Sequence, residues 1–157
     1  MAASRRSSCE YSLTLTPVPT KKKMTINVQG VAITVLSKQG ADYISLTDMV
    51  QNFEGGGTLI EQWIRNKDTV AFLGIWEQIN NPDFKGVEFA AFRMQSGLNS
   101  FVMSPQKWIE STQAIGLISR SGNNGGTFAH KDIAFEFASW ISAEFKLYLI
   151  KEFQRLK

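Results

Sequence analysis

The side chains in this chain that bear on chemistry are hydrogen-bond donors and cations, set out in two short stretches. Residues 58–67 read TLIEQWIRNK. At helical spacing Leu59, Ile60, Trp63 and Ile64 fall on one face and Gln62, Arg65 and Asn66 on the other, with Lys67 at the end. Arginine pairs with guanine, asparagine or glutamine with adenine, and lysine holds phosphate, so such a helix suits a duplex groove. A plain solvated helix face carries the same residues, and composition leaves both readings open. The second stretch is Ser121-Gly122-Asn123-Asn124-Gly125-Gly126, between short runs at 117–120 and 127–129. Asn and Gly accept positive φ, so the chain reverses there and exposes a polar tip. That is the design of a nucleic-acid-reading wing and equally of an ordinary surface hairpin.

Catalytic chemistry finds less support. His130 is the only histidine and Cys9 the only cysteine, so neither a histidine pair nor a cysteine cluster can hold a metal. A lone histidine between a hairpin and a long helix suits capping or packing, with no base or nucleophile partner beside it. Asp132, Glu136 and Glu144 lie at helix starts or faces, where they favour the dipole or solvent. No P-loop, dinucleotide fingerprint or nucleophile elbow occurs. The expectation is a chain that is not an enzyme and that uses no cofactor and no metal.

The elements that must position these residues can be read from the rest of the chain. With 157 residues, 43% of them hydrophobic, there is material for one domain with a real core. No apolar run approaches the roughly 20 residues of a membrane helix, so no membrane partner is expected. A single cysteine suits a reducing compartment, and the protein is expected in the cytoplasm. Of 17 basic and 14 acidic side chains, Arg5, Arg6, Lys21, Lys22, Lys23 and Glu10 lie in residues 1–24, which leaves 12 basic and 13 acidic for the remainder. Any nucleic-acid surface on the body is therefore local. Residues 1–23, rich in Ser, Thr and Pro, read as a disordered basic arm, with Met24 a candidate natural start, and residues 24–157 as the folded domain.

From Thr25, alternation at Ile26, Val28, Val31, Ile33 and Val35 around Gln29-Gly30 predicts a hairpin, and Asp42 to Ile44 a third strand. Ser45-Leu46-Thr47-Asp48 predicts a capping box that opens a helix through Phe53, closed by the glycines at 55–57. Thr58 with Glu61 predicts a second capping box, and Asp68 a cap for a helix over 69–79 that buries Val70, Leu73 and Trp76. The pair of short helices joined by glycines is a helix-turn-helix arrangement. Residues 86–103 are ambiguous, Phe89 and Phe92 suiting a helix and 100–103 a short strand. Ser104-Pro105 starts a helix. Beyond the hairpin, Ile133, Phe137, Ile141, Phe145, Leu149 and Phe153 form an apolar stripe with a break at Ser142.

Four motifs in order carry a family resemblance: Tyr43-Ile44-Ser45-Leu46-Thr47-Asp48; Trp63-Ile64-Arg65-Asn66-Lys67-Asp68-Thr69; Gly125-Gly126-Thr127-Phe128-Ala129-His130; and Ala134 with Ala138-Ser139-Trp140-Ile141-Ser142-Ala143-Glu144-Phe145. Together they resemble the KilA-N domain of large DNA viruses, phages and bacteria, which is related to the fungal APSES domains. The likeness runs from about Ile26 to the C-terminus. Lys131 and Ala143 stand where members commonly have proline, and the stretch between Gln78 and Ser104 is less typical of the family core.

The resemblance implies DNA binding through a helix-turn-helix and a β-hairpin wing, in regulation of phage or mobile-element genes. It carries Arg65 and Lys67, with Gln62 and Asn66, onto the reading helix, Arg120, Asn123 and Asn124 onto the wing, and Lys131 onto the helix behind it. Trp63, Trp140 and Phe145 are assigned to the core. The expected fold is α+β, a small antiparallel sheet with five or six helices, winged helix-turn-helix-like. The expected partner is double-stranded DNA. A protein-interaction module such as a phage antirepressor is the other function class, motivated by the near-neutral body.

Overall fold

The computed structural model describes residues 21–51, 53–98, 100–120 and 126–156. Asn123 and Asn124, at the expected wing tip, and residues 1–20 of the expected arm lie outside them. The fold is α+β, with a five-stranded antiparallel sheet. Strands β1 (Lys21–Val28), β2 (Val31–Lys38) and β3 (Ala41–Ser45) form a meander. Its two turns are both Gln-Gly, and all four residues have positive φ: Gln29 at 50° and Gly30 at 83°, Gln39 at 51° and Gly40 at 81°. Such mirror-image turns match the strand twist and fix the register, Val28 opposite Val31 and Lys38 opposite Ala41. Strand β1 starts at Lys21, ahead of the alternation from Thr25, because ladder bonds are made by the backbone and lysines are at home on an edge strand.

Strands β4 (Leu117–Arg120) and β5 (Gly126–His130) form the expected second hairpin. β5 pairs with β3, which gives the order β1-β2-β3-β5-β4. One face of the sheet, with Ile26, Val28, Val31, Ile33, Val35, Ile44, Leu117 and Ala129, joins the main core. Leu36, Tyr43 and Phe128 form a smaller apolar cluster on the opposite, outer face.

The described residues form seven helices where five or six were expected. They are α1 (Leu46–Met49), α2 (Gly56–Ile64), α3 (Lys67–Asn80), α4 (Gly86–Gln95), α5 (Pro105–Thr112), α6 (Lys131–Ile141) and α7 (Ala143–Leu156). The ambiguous stretch is helical in its first half, burying Phe89 and Phe92, and 100–103 is not a strand. Ser142 splits the apolar stripe as expected, its Oγ accepting from the Phe145 N–H at 3.2 Å. Ile133, Phe137, Phe145, Leu149 and Phe153 are buried along the two helices. Phe84, Phe89 and Phe92 surround the buried Trp108 with ring centroids 6.0 to 6.1 Å away.

Helix boundaries around the first candidate stretch differ from expectation. α2 starts at Gly56, capped by Gly55 in the left-handed region at φ 72°, so the glycines that were to end one helix begin the next. Thr58 is already inside α2, and its hydroxyl donates to the Gly55 carbonyl at 3.0 Å rather than capping the helix. Lys67 opens α3 instead of closing α2, with Arg65 at the C-cap of one and Asn66 at the N-cap of the other. Two helices thus meet at an elbow of two polar residues.

Candidate functional site

Helix α1 is only four residues long, yet it is tied at three points. Ser45 Oγ accepts from the Asp48 N–H at 3.0 Å, the predicted cap. Asp48 Oδ2 accepts from the Thr34 N–H at 2.8 Å, and Thr47 Oγ1 accepts from the Thr127 N–H at 2.9 Å. The β2–β3 ladder ends at Val35 with Ile44 and the β3–β5 ladder at Ser45 with Phe128, so Thr34 of β2 and Thr127 of β5 lie just past the last paired residues. Two side chains of α1 stand in for the missing strand and satisfy both N–H groups. Gly126 lies against Thr47 at φ 150°, and a Cβ there would approach the threonine hydroxyl to 3.0 Å. The hairpin base is thereby fixed beside α1 and α2. A groove of about 420 Å³ runs between them, lined by Thr47, Gly56, Ile60, Glu61, Pro105 and Thr127 among others.

The other end of the hairpin is anchored by Glu77 of α3, 1% exposed. Its carboxylate accepts from the Gly116 N–H at 2.7 Å, the Ile115 N–H at 3.0 Å and Asn81 Nδ2 at 2.9 Å. Tyr43 donates its hydroxyl to the Ile115 carbonyl at 2.9 Å, and the His130 N–H donates to the Gly116 carbonyl at 2.8 Å. Burial, with the nearby Glu77 carboxylate, raises the Tyr43 phenol above its ordinary value. At Gly116 a Cβ would meet Ile133, Glu77 and Trp76.

His130 takes the capping role expected of it. Its Nδ1 accepts from the Asp132 N–H at 3.2 Å at the start of α6, and its ring packs against Trp76 and Tyr43 with centroids 4.8 and 5.8 Å apart. Asp132 also accepts from Trp76 Nε1 at 3.1 Å. Burial lowers the imidazole below the usual histidine value, against the opposing pull of Asp132. Among the described residues no group of three or more His, Cys, Asp or Glu is placed to hold a metal ion.

The candidate side chains fall on three surfaces. Gln62 and Arg65 line one groove of about 310 Å³ with Thr58, Glu61 and the 102–104 segment. Asn66 and Lys67 line a second, of about 650 Å³, with Asp68, Glu136 and Trp140. Arg120 turns to the outer face of the sheet, its guanidinium 5.6 Å from the centroid of the Phe128 ring, and lines a third groove with Lys38. Lys131 is exposed in the first turn of α6. The structure therefore brings Gln62 to Arg65 and Asn66 to Lys67, and groups Arg120 with neither pair. Among the described residues none of Arg65, Lys67, Arg120 and Lys131 is in an ion pair.

Trp140 corrects the sequence reading. It is 42% exposed, while Trp63 and Phe145 are buried as assigned. Ile141 carries the phase of the stripe, so its neighbour points elsewhere, and only residue type had argued for the core. Thr47 and Lys38 were also missed. The strand alternation that buries Val31, Ile33 and Val35 already put Lys38 on the opposite face.

A five-stranded antiparallel sheet with seven helices among the described residues, its second hairpin tied to α1 through Thr47, defines an α+β domain. The KilA-N domain model matches residues 26–157, most of the chain, and the chain belongs to that family. No curated protein and no solved structure matches it.

Proposed function

We propose that this chain binds duplex DNA as a winged helix-turn-helix. In this reading α1 and α2 are the helix pair, α2 presents Gln62 and Arg65 to a groove, and Asn66 and Lys67 hold the flanking backbone. The β4–β5 hairpin is the wing, with Arg120 on its stem, Asn123 and Asn124 at its tip and Lys131 behind it. The observation that carries this is membership of the KilA-N family across residues 26–157. Exposed cations held by no carboxylate among the described residues support it, because a cation that neutralises a phosphate releases the counterions condensed there. The biological setting we infer is regulation of phage or mobile-element genes.

Arg65→Ala and Arg120→Ala, each compared with the parent on a duplex selected from a random library, test the assignment. The expected result is about tenfold or more weaker binding for a lost base contact, or a salt slope smaller by about one for a lost phosphate contact. Unchanged affinity in moderate salt for both would remove these surfaces from the proposal. A second reading, a protein-interaction module such as an antirepressor, is favoured by the exposed Ile75 and Ile79 on α3 and Val87 and Met94 on α4. A protein partner retained after nuclease treatment, with no shift of any duplex, would favour it.

A further inference from the structure

The outer face of the sheet has a chemistry that the helix and the hairpin do not account for. Register and the two-residue pleat assign to it Lys23, Thr25 and Asn27 of β1, Ala32, Thr34, Leu36 and Lys38 of β2, Ala41, Tyr43 and Ser45 of β3, Phe128 and His130 of β5, and Ile118 and Arg120 of β4. No carboxylate stands among these strand residues. Among the described side chains its cations are Lys23, which is exposed, Lys38, half-buried, and Arg120, exposed and held against Phe128.

Two grooves cross this face and share Lys38, Gln39, Tyr43 and Ile115. The larger, about 430 Å³, is walled by α5 and includes Arg120. Glu110 is the only acidic side chain lining either, and it accepts from Gln106 Nε2 at 3.0 Å along its own helix. Tyr43 and Trp76 are 7% and 8% exposed, so neither offers a ring face on which an unpaired base could stack. A floor of buried rings with cations at the rim suits phosphates instead.

We infer that this outer face is a second contact surface for DNA, a phosphate track that continues from the hairpin stem across the sheet to β1. The inference rests on the duplex-binding reading above. Arg120 and Lys23 stand on opposite edge strands, four strand spacings or about 19 Å apart across the sheet at about 4.8 Å each. They are four residues or about 13 Å apart along it, because Lys23 shares a row with Leu36, Tyr43 and His130 while Arg120 pairs with Gly126. Together these give a separation of about 23 Å, which spans roughly seven phosphates along one DNA strand at about 3.4 Å. Contacts of this kind add affinity and salt dependence without sequence preference, because every base pair carries the same phosphates.

The test uses the full chain with Lys23→Gln and Lys38→Gln combined, beside Lys23→Arg with Lys38→Arg and the separate variant Gln62→Ala with Arg65→Ala. Binding of a selected duplex is measured over a range of salt, and the selection is repeated with each protein. The expected result is a salt slope smaller by about two for the glutamine pair, restored by the arginine pair, with the selected sequences unchanged. Unchanged slope and affinity would overturn the inference while leaving α2 as the reading element if the Gln62 and Arg65 variant loses its preference. Altered sequence selection by the glutamine pair would overturn it too, by making the face part of base readout. A parent that binds polyglutamate but no duplex would sink both this inference and the reading beneath it.

Discussion

Glu77 brings its carboxylate into the interior of the molecule, where it gathers N–H groups from Ile115, Gly116 and Asn81. Removing it strands three donors at once. Since each buried unsatisfied group costs about 1–3 kcal/mol, Glu77→Ala is expected to lose about 3 kcal/mol or more in urea unfolding, and Glu77→Gln less because one acceptor oxygen remains. His130 gives a pH signature. Its folded-state value is lowered by burial, so on acidification the unfolded chain takes up the proton first. The stabilising contribution is complete above about pH 6.5 and is lost as pH falls from there through the folded value. Unfolding midpoints measured between about pH 7.5 and 5.5 should fall more for the parent than for His130→Asn, which keeps a capping side chain but does not titrate. The histidine cap was legible from its place before an apolar-periodic segment. Glu77 was not, because its partners lie 38 and 39 residues away in the chain.

At the level of elements, α1 takes over where the β3 ladders end and holds the flanking strands through Thr47 and Asp48. Asp48→Ala removes the acceptor for the Thr34 N–H and is expected to cost about 2 kcal/mol, with most of it recovered by Asp48→Asn. Denaturant titration of the three proteins checks it, and equal stability of all three would show the splice to be idle. The capping box itself was readable because Ser45 and Asp48 are three residues apart. Its second duty was not, since nothing local in Thr47-Asp48 says which strands will flank it. The glycines at 55–57 were misread for a similar reason: glycine serves a C-cap and, as Gly55 does here, a left-handed N-cap. That ambiguity moved Lys67 from the end of one helix to the start of the next.

Over the whole molecule, the β1–β2–β3 meander followed from alternation and two Gln-Gly turns, all local signals. The pairing of β5 with β3 joins residues more than 80 apart in the chain, and no pattern in either strand specifies it. For the same reason the three separate surfaces for Gln62 with Arg65, Asn66 with Lys67, and Arg120 could not be read from spacing. Only the fold decides which cations share a face.

The uneven wetting of the indoles equips the molecule with an intrinsic optical probe. Trp63, Trp76 and Trp108 are 1%, 8% and 0% exposed, so iodide in solution can extinguish emission chiefly from Trp140. That ring borders the groove lined by Asn66 and Lys67. Duplex seated there should shelter it from the quencher, whereas duplex confined to the far side of the sheet should leave the Stern–Volmer slope as it was, a distinction obtained without attaching any dye.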